Sequence, residues 1–253
     1  MARALIPLAK EAGLPSCWAQ EEGAQEEGAL DDGALDDGAQ ENGAEASPGI
    51  GMEREDRLAL IVAVARAVIA HEGELTRLDQ AIGDGDHGVN MRRGFEAVLH
   101  EADALAELGT AAALEAIGYL LVNRIGGAAG PLYGTLALSM GRHGGNAQTL
   151  DDWILAFGQA IEDVKRRGKS EGGQKTLLDV FVPVHAVLVE KGAGAVAQLA
   201  RIAEDAAEAT RPMRALRGRA AFLGDRSVGH VDPGARSASL VLGVIGRVLC
   251  GEN

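Results

Sequence analysis

From Met52 onward, apolar residues recur at intervals of three and four: Leu58, Ile61, Val62, Ala65, Val68 and Ile69. That spacing lays them along one stripe of a helix of about five turns. Similar runs follow at about 90–104, 111–124, 131–143, 149–166, 175–190, 193–209 and 235–249. No apolar–polar alternation is long enough for a sheet. The pattern predicts an all-α fold of eight helices, with antiparallel neighbours joined by short loops. Gly127, Gly144 and Gly192 stand where left-handed caps are expected, and Pro131 suits a first helical turn. Asp232 or Ser237 is the expected cap of the last helix.

The first fifty residues cannot join that fold. From Glu21 to Glu45 a five-residue unit repeats, beginning Glu-Glu-Gly-Ala-Gln and Glu-Glu-Gly-Ala-Leu. A period of five matches neither the helical 3.6 nor the strand 2.0. Residues 1–52 carry eleven acids and two bases, Arg3 and Lys10, so the segment repels itself. The expectation is a disordered acidic leader over 1–50, followed by one helical domain over 53–250.

The formal charge of −13 excludes a nucleic-acid partner, because no basic stripe exists to displace phosphate counterions. Cys17 and Cys250 lie near opposite ends and suggest neither a disulfide framework nor a zinc site, which fits a cytoplasmic setting. The apolar stretch from Leu58 to Ala70 is interrupted by Arg66 and too short to span a bilayer, so no membrane association is expected.

The chemistry gathers in the connections. Asp79, Asp84 and Asp86 fall within eight residues, with no lysine or arginine between them and glycines at 83 and 85. Three carboxylates on one turn repel each other unless a cation sits between them. A hard ion such as Mg²⁺, which keeps part of its sphere for phosphates, is the natural neutraliser. Two more glycine-rich turns, Gly126–Thr135 and Gly224–Gly234, could bring backbone amides to a phosphate. The segment Gly168–Thr176 imitates a P-loop, but Gln174 stands where the lysine belongs and no strand precedes it. His87 follows the acids and is read as either a phosphate contact or a structural group, and His230 as a possible organiser of its loop. Neither has the serine or cysteine neighbour of a nucleophilic triad. His71, His100, His143 and His185 read as ordinary helix or surface residues, and Trp153 and Phe157 as core.

The string Asp79-x4-Asp84-Gly85-Asp86-His87-Gly88-x-Asn90-Met91, with Gly126-Gly127-x-x-Gly130-Pro131-Leu132-Tyr133-Gly134-Thr135, resembles the nucleotide-binding L subunit (DhaL type) of bacterial dihydroxyacetone kinase. Lys175–Asp179, Gly218-Arg219-Ala220 and Gly229-His230-x-Asp232-Pro233-Gly234-Ala235 continue the likeness over about residues 53–250. The resemblance implies an eight-helix antiparallel barrel holding ADP or ATP and two Mg²⁺ ions at one end. It assigns Asp79, Asp84 and Asp86 to the metals. His87, Gly88, Val89 and Asn90 would line the phosphate end, and Ala128, Ala129, Gly168, Leu177, Arg219, Asp232, Pro233 and Gly234 would surround the nucleotide. Ala129 stands where many relatives have serine, which leaves a backbone N–H to serve the phosphate.

The same resemblance implies two partners: a K subunit that holds dihydroxyacetone, and a phosphohistidine protein of the phosphotransferase system that recharges ADP. It also allows a homodimer. Competing readings are an ATP-dependent kinase subunit for another keto triose or tetrose, a nucleotide-binding regulatory module, and a metal-dependent phosphohydrolase. Deleting residues 1–50 is expected to leave the melting temperature and transfer rate nearly intact, which thermal unfolding and a coupled transfer assay would check.

Overall fold

The computed structural model describes residues 52–251, so the expected leader lies outside the described residues. Ten α-helices run in order: α1 (Arg54–Ala70), α2 (Glu72–Ile82), α3 (His87–His100), α4 (Ala102–Glu107), α5 (Thr110–Arg124), α6 (Ala129–His143), α7 (Leu150–Gly168), α8 (Leu178–Lys191), α9 (Leu199–Glu208) and α10 (Pro233–Leu249). Two 3₁₀ segments, Gly192–Gln198 and Arg219–Ser227, lie on either side of α9. The described residues contain no strand.

Eight of these helices close a ring. In the order α1, α3, α5, α6, α7, α8, α9, α10 each packs on the next, and α10 packs back on α1. Their directions alternate. The starts of α3, α6, α8 and α10 gather at one end with the finishes of α1, α5, α7 and α9. Contacts at that end show it: Arg93 of α3 donates to the carbonyl of Arg124, which ends α5 (2.8 Å), and Arg92 pairs with Glu72, just after α1. At the opposite end Arg57 of α1 donates to the carbonyl of Ala106, just before α5.

The eight expected helices are thus the staves of a barrel, and α2 and α4 are additions to the count. Helix α2 was hidden because its inward stripe is Leu75, Asp79 and Ile82, with an acid in the middle position. Helix α4 is separated from α3 at Glu101, whose backbone leaves the helical region. The run expected at 193–209 opens as a 3₁₀ segment where Gly192 and Gly194 weaken the α geometry.

The caps follow the sequence in part. Gly192 follows α8 at φ 51°, whereas Gly144 follows α6 at φ −84°, outside the left-handed region, and Gly127 (φ 66°) lies beyond Ile125, the cap of α5. The left-handed cap of α7 is Lys169 (φ 48°, ψ 45°) rather than a glycine. At its start α7 carries a reciprocal capping box between Thr149 and Asp152. Asp232 caps α10 by accepting the N–H of Ala235 at 2.8 Å. Ser237 does not cap; it turns inward.

The core is aliphatic with one aromatic chain. Tyr133, Phe181, Phe157 and His185 meet edge to face, with centroids 6.4, 5.9 and 5.8 Å apart in sequence. Below it the barrel encloses an apolar cavity of about 310 Å³, lined among others by Ile61, Phe95, Trp153, Phe157 and Leu242. Leu178–Glu208 is long and apolar enough to cross a membrane. It is, however, two helices broken at Gly192, and both put side chains such as Phe181, Val184, Leu199 and Ala203 into the barrel core.

Helices α5 and α6 touch backbone to backbone. A Cβ on Gly118 would lie 2.9 Å from the carbonyl oxygen of Gly134, and one on Gly134 would lie 2.9 Å from that of Gly118. Alanine is normally favoured over glycine in a helix by about 1 kcal/mol. Here the clash outweighs propensity, so Gly118→Ala is expected to lower stability by about 1–3 kcal/mol, seen as a lower urea midpoint.

Candidate functional site

The barrel end where four helices begin also carries the acidic turn. Asp79 stands in the middle of the inward stripe of α2, Asp84 lies in the turn and Asp86 directly precedes α3. One carboxylate oxygen from each lies within 4.8 Å of the others, with Asp79 buried and the other two exposed. Two features steady this crowd. Asp79 Oδ2 accepts the backbone N–H groups of Asp86 (2.9 Å) and His87 (3.1 Å), at the positive end of α3. Arg219 reaches across from the second 3₁₀ segment to Asp84 at 2.5 Å. Three carboxylates at this spacing, with two open to solvent, are an all-oxygen donor set suited to a hard divalent ion.

The remaining expected residues form a chain around the mouth. The Nε2 of His87 lies 3.0 Å from Ser237 Oγ on α10. Desolvation lowers the His87 pKa against the opposing pull of Asp79 and Asp86, which favours the neutral ring. Gly88 is required by packing: a Cβ there would sit 2.1 Å from the Glu72 carbonyl and 2.7 Å from Thr76 N, at the start of α2. Val89 is 43% exposed and faces out. Asn90 is buried, takes an N–H from Arg93 (2.9 Å) and sits against the turn at Gly126. Ala128 precedes α6 without any side-chain cap, and Ala129 is the first residue of that helix. The first amides of α6 are therefore open to an anion, the role left to the backbone when Ala129 lacks a hydroxyl. Gly168 ends α7 against Leu132 of α6, and Leu177, which precedes α8, packs beside Gly234 of α10. Pro233 opens α10 behind its Asp232 cap.

All fifteen expected residues thus belong to one end of the barrel. Arg219 falls on the acidic turn itself, beside Asp84, in addition to facing the mouth.

The family model described as the DAK2 domain matches residues 81–246. The chain belongs to the DAK2-domain family.

Among curated proteins it is similar to the ADP-binding subunit DhaL of the PEP-dependent dihydroxyacetone kinase of Escherichia coli. The two are 39% identical over 176 residues, covering 66% of this chain and 84% of the relative. The corresponding subunit of kinase 1 from Listeria innocua is 38% identical over 169 residues, covering 66% and 82%. Among solved structures, the dihydroxyacetone kinase of C. freundii in complex with AMP-PNP and Mg²⁺ superposes with a TM-score of 0.58 at 19% identity. That match covers 86% of this chain and 38% of the longer one, and it bears on the fold.

The DAK2 match begins at Ala81, so Asp79 lies just outside it while Asp84 and Asp86 lie within. Four further residues of this DAK2 domain belong to the site's framework although the sequence did not assign them to it. Asp179, buried at the start of α8, accepts the N–H of Thr176 (2.6 Å) and of Gly173, and so shapes the turn before that helix. Ser237 joins three elements: it donates to Gly234 O (3.0 Å), meets Tyr133 Oη at 2.7 Å and faces His87. Burial raises the Tyr133 pKa, so its hydroxyl stays protonated as part of this buried polar floor. Thr210 Oγ1 takes the N–H of Asp232 at 3.0 Å. Asp179 and Tyr133 were signalled by their places in the Lys175–Asp179 and Gly126–Thr135 strings, and Ser237 only as a possible cap; Thr210, a small polar residue in a turn, carried no signal.

Burial, with Asp179 nearby, pushes the Asp232 carboxyl from 3.8 up to about 7, against its hydrogen bond from Ala235. The native state therefore keeps a proton that the unfolded chain has released, so stability falls as pH rises from about 4 to about 7 and is flat beyond. Asp232→Asn retains a capping oxygen and removes the titration. Its unfolding free energy is expected to lose that slope, measured by urea titration across this pH window.

Proposed function

We propose that this chain is the nucleotide-holding subunit of a dihydroxyacetone kinase, carrying ADP or ATP with Mg²⁺ at the acidic end of the barrel. One observation carries the reading: Asp79, Asp84 and Asp86 converge within 4.8 Å at the end where α3, α6, α8 and α10 begin. Carboxylates supply the oxygen ligands that Mg²⁺ prefers, while the open amides of α6 and the Arg219 guanidinium supply positive charge for phosphates. Two ions, held mainly by Asp79, Asp84 and Asp86, would neutralise the phosphate charge that builds up during transfer.

The chain's own part is binding and orientation. Phosphoryl transfer requires alignment and charge neutralisation more than a protein nucleophile. Ser237 lies 3.0 Å from His87, but it is fully buried and tied to the Gly234 carbonyl and the Tyr133 hydroxyl, so it does not present a nucleophile to the mouth. The nucleotide then acts as a recycled carrier. A phosphohistidine protein of the phosphotransferase system recharges ADP, and the γ-phosphoryl passes to dihydroxyacetone on a K subunit, in the cytoplasm. The names of the Escherichia coli and Listeria relatives support the ADP-binding and phosphoenolpyruvate-dependent parts of this reading.

A second acceptor is favoured by a specific likeness. An L-erythrulose 1-kinase of Mycolicibacterium smegmatis is 33% identical over 216 residues, although this chain spans only 37% of it. A four-carbon keto sugar is therefore the alternative substrate. Tight ADP that does not exchange points to the recharged carrier, whereas freely exchanging ATP points to the autonomous kinase.

Asp84→Asn is expected to abolish Mg²⁺-dependent nucleotide retention with helical content unchanged. Mass spectrometry of nucleotide released from the purified proteins, with and without a chelator, checks this. A mutant that still purifies with ADP would overturn the metal assignment.

A further inference from the structure

Among the largest fully buried side chains of the described residues is a lysine. Lys175, 1% exposed, lies in the false P-loop between α7 and α8. No carboxylate of the described residues lies within ion-pair distance of its ammonium, although Asp232 attracts it from further off. Instead Nζ donates to three carbonyl oxygens: Met213 (3.0 Å), Ser227 (2.6 Å) and His230 (2.7 Å). All three protons are therefore committed to main-chain acceptors. The backbone of Lys175 is held at φ 62°, a conformation that a non-glycine residue keeps only where its surroundings impose it.

The three carbonyls belong to one segment, the loop between α9 and α10. None of the barrel's core residues comes from 210–231. Apart from the buried Val231, the loop has a small apolar cluster, in which Ala215, Ala220 and Leu223 rest on Ile82 at the end of α2. Its further ties include polar ones. Ser227 Oγ bridges Ala215 N and Gly224 O, and the main chain of Gln174 accepts the N–H of Leu216 (3.1 Å). Yet this loop carries Arg219 to Asp84 and Thr210 to the backbone of Asp232.

We infer that Lys175 is a positioning residue of the nucleotide site: its ammonium fastens the 210–231 loop across the mouth, and so sets how long bound nucleotide stays. The inference rests on the proposed nucleotide reading. A lysine suits the task because one buried cation can gather three carbonyls that would otherwise repel each other. Residue 175 reaches them from the turn beside α8, while Arg219 ties the same loop to Asp84 in the turn before α3. The loop is thereby fastened to two different turns.

The test uses the full chain loaded with Mg²⁺ and radiolabelled ADP, chased with excess unlabelled ADP. Lys175→Met is expected to release ADP at least tenfold faster, while the melting temperature moves by only a few degrees. In Lys175→Ala, added propylammonium replaces the missing end of the side chain and should restore slow release saturably, which sodium should not. Ser227→Ala, which loosens the same loop without touching the lysine, should speed release in the same direction. Unchanged release in both Lys175→Met and Ser227→Ala would sink the inference while leaving the nucleotide reading standing. So would collapse of the whole barrel in the lysine variants without propylammonium rescue. If the wild-type chain holds no ADP with Mg²⁺, the nucleotide reading falls and takes this inference with it.

Discussion

Like charges crowded at one point dominate this molecule. Three carboxylates within 4.8 Å repel, and the fold surrounds them with compensating positive ends. Asp79 is held by the first amides of α3, Asp84 by Arg219, and the whole turn sits where four helix dipoles point their positive ends. An alternating ring is what makes this gathering possible. Because neighbours run in opposite directions, every second stave begins at the same mouth. A parallel arrangement would need long crossovers; the connection between α5 and α6 spans only residues 125–128.

Close approach is the second constraint. Gly118 and Gly134 let α5 and α6 meet at their backbones, while Gly88 lets α3 settle onto the start of α2. The last contact matters for chemistry, since it fixes the acidic turn that joins these two helices. Arg236 reinforces the arrangement, reaching from α10 to Glu74 on α2 and to Glu204 on α9. A glycine that looks like a phosphate-binding residue in the sequence can therefore serve the site indirectly, by letting two helices lie close enough to shape it.

Much of this was legible in the residues. The three-and-four spacing of apolar positions marks all eight staves, because each buries one stripe and wets the other. What escaped was set by exceptions to that rule. Helix α2 places Asp79 where a core apolar residue belongs, so its stripe does not read as one. The turn at 168–176 looks like a failed phosphate loop, and its lysine instead points into a cage of carbonyls contributed from some forty to fifty-five residues away. Nothing local in the sequence encodes that partnership. The aspartates, by contrast, are adjacent in sequence and crowded by covalent geometry, which is why their clustering could be foreseen.

The ring closes through α10 packing on α1, and Met52 and Leu249 line the same cavity at the end away from the acidic turn. Both ends of the helical domain thus leave from its blind side. Such a barrel is a portable module: it can be appended to another polypeptide through either terminus without rerouting any stave or obstructing the mouth. The C. freundii chain, of which the matching barrel makes up 38%, has the architecture such portability allows.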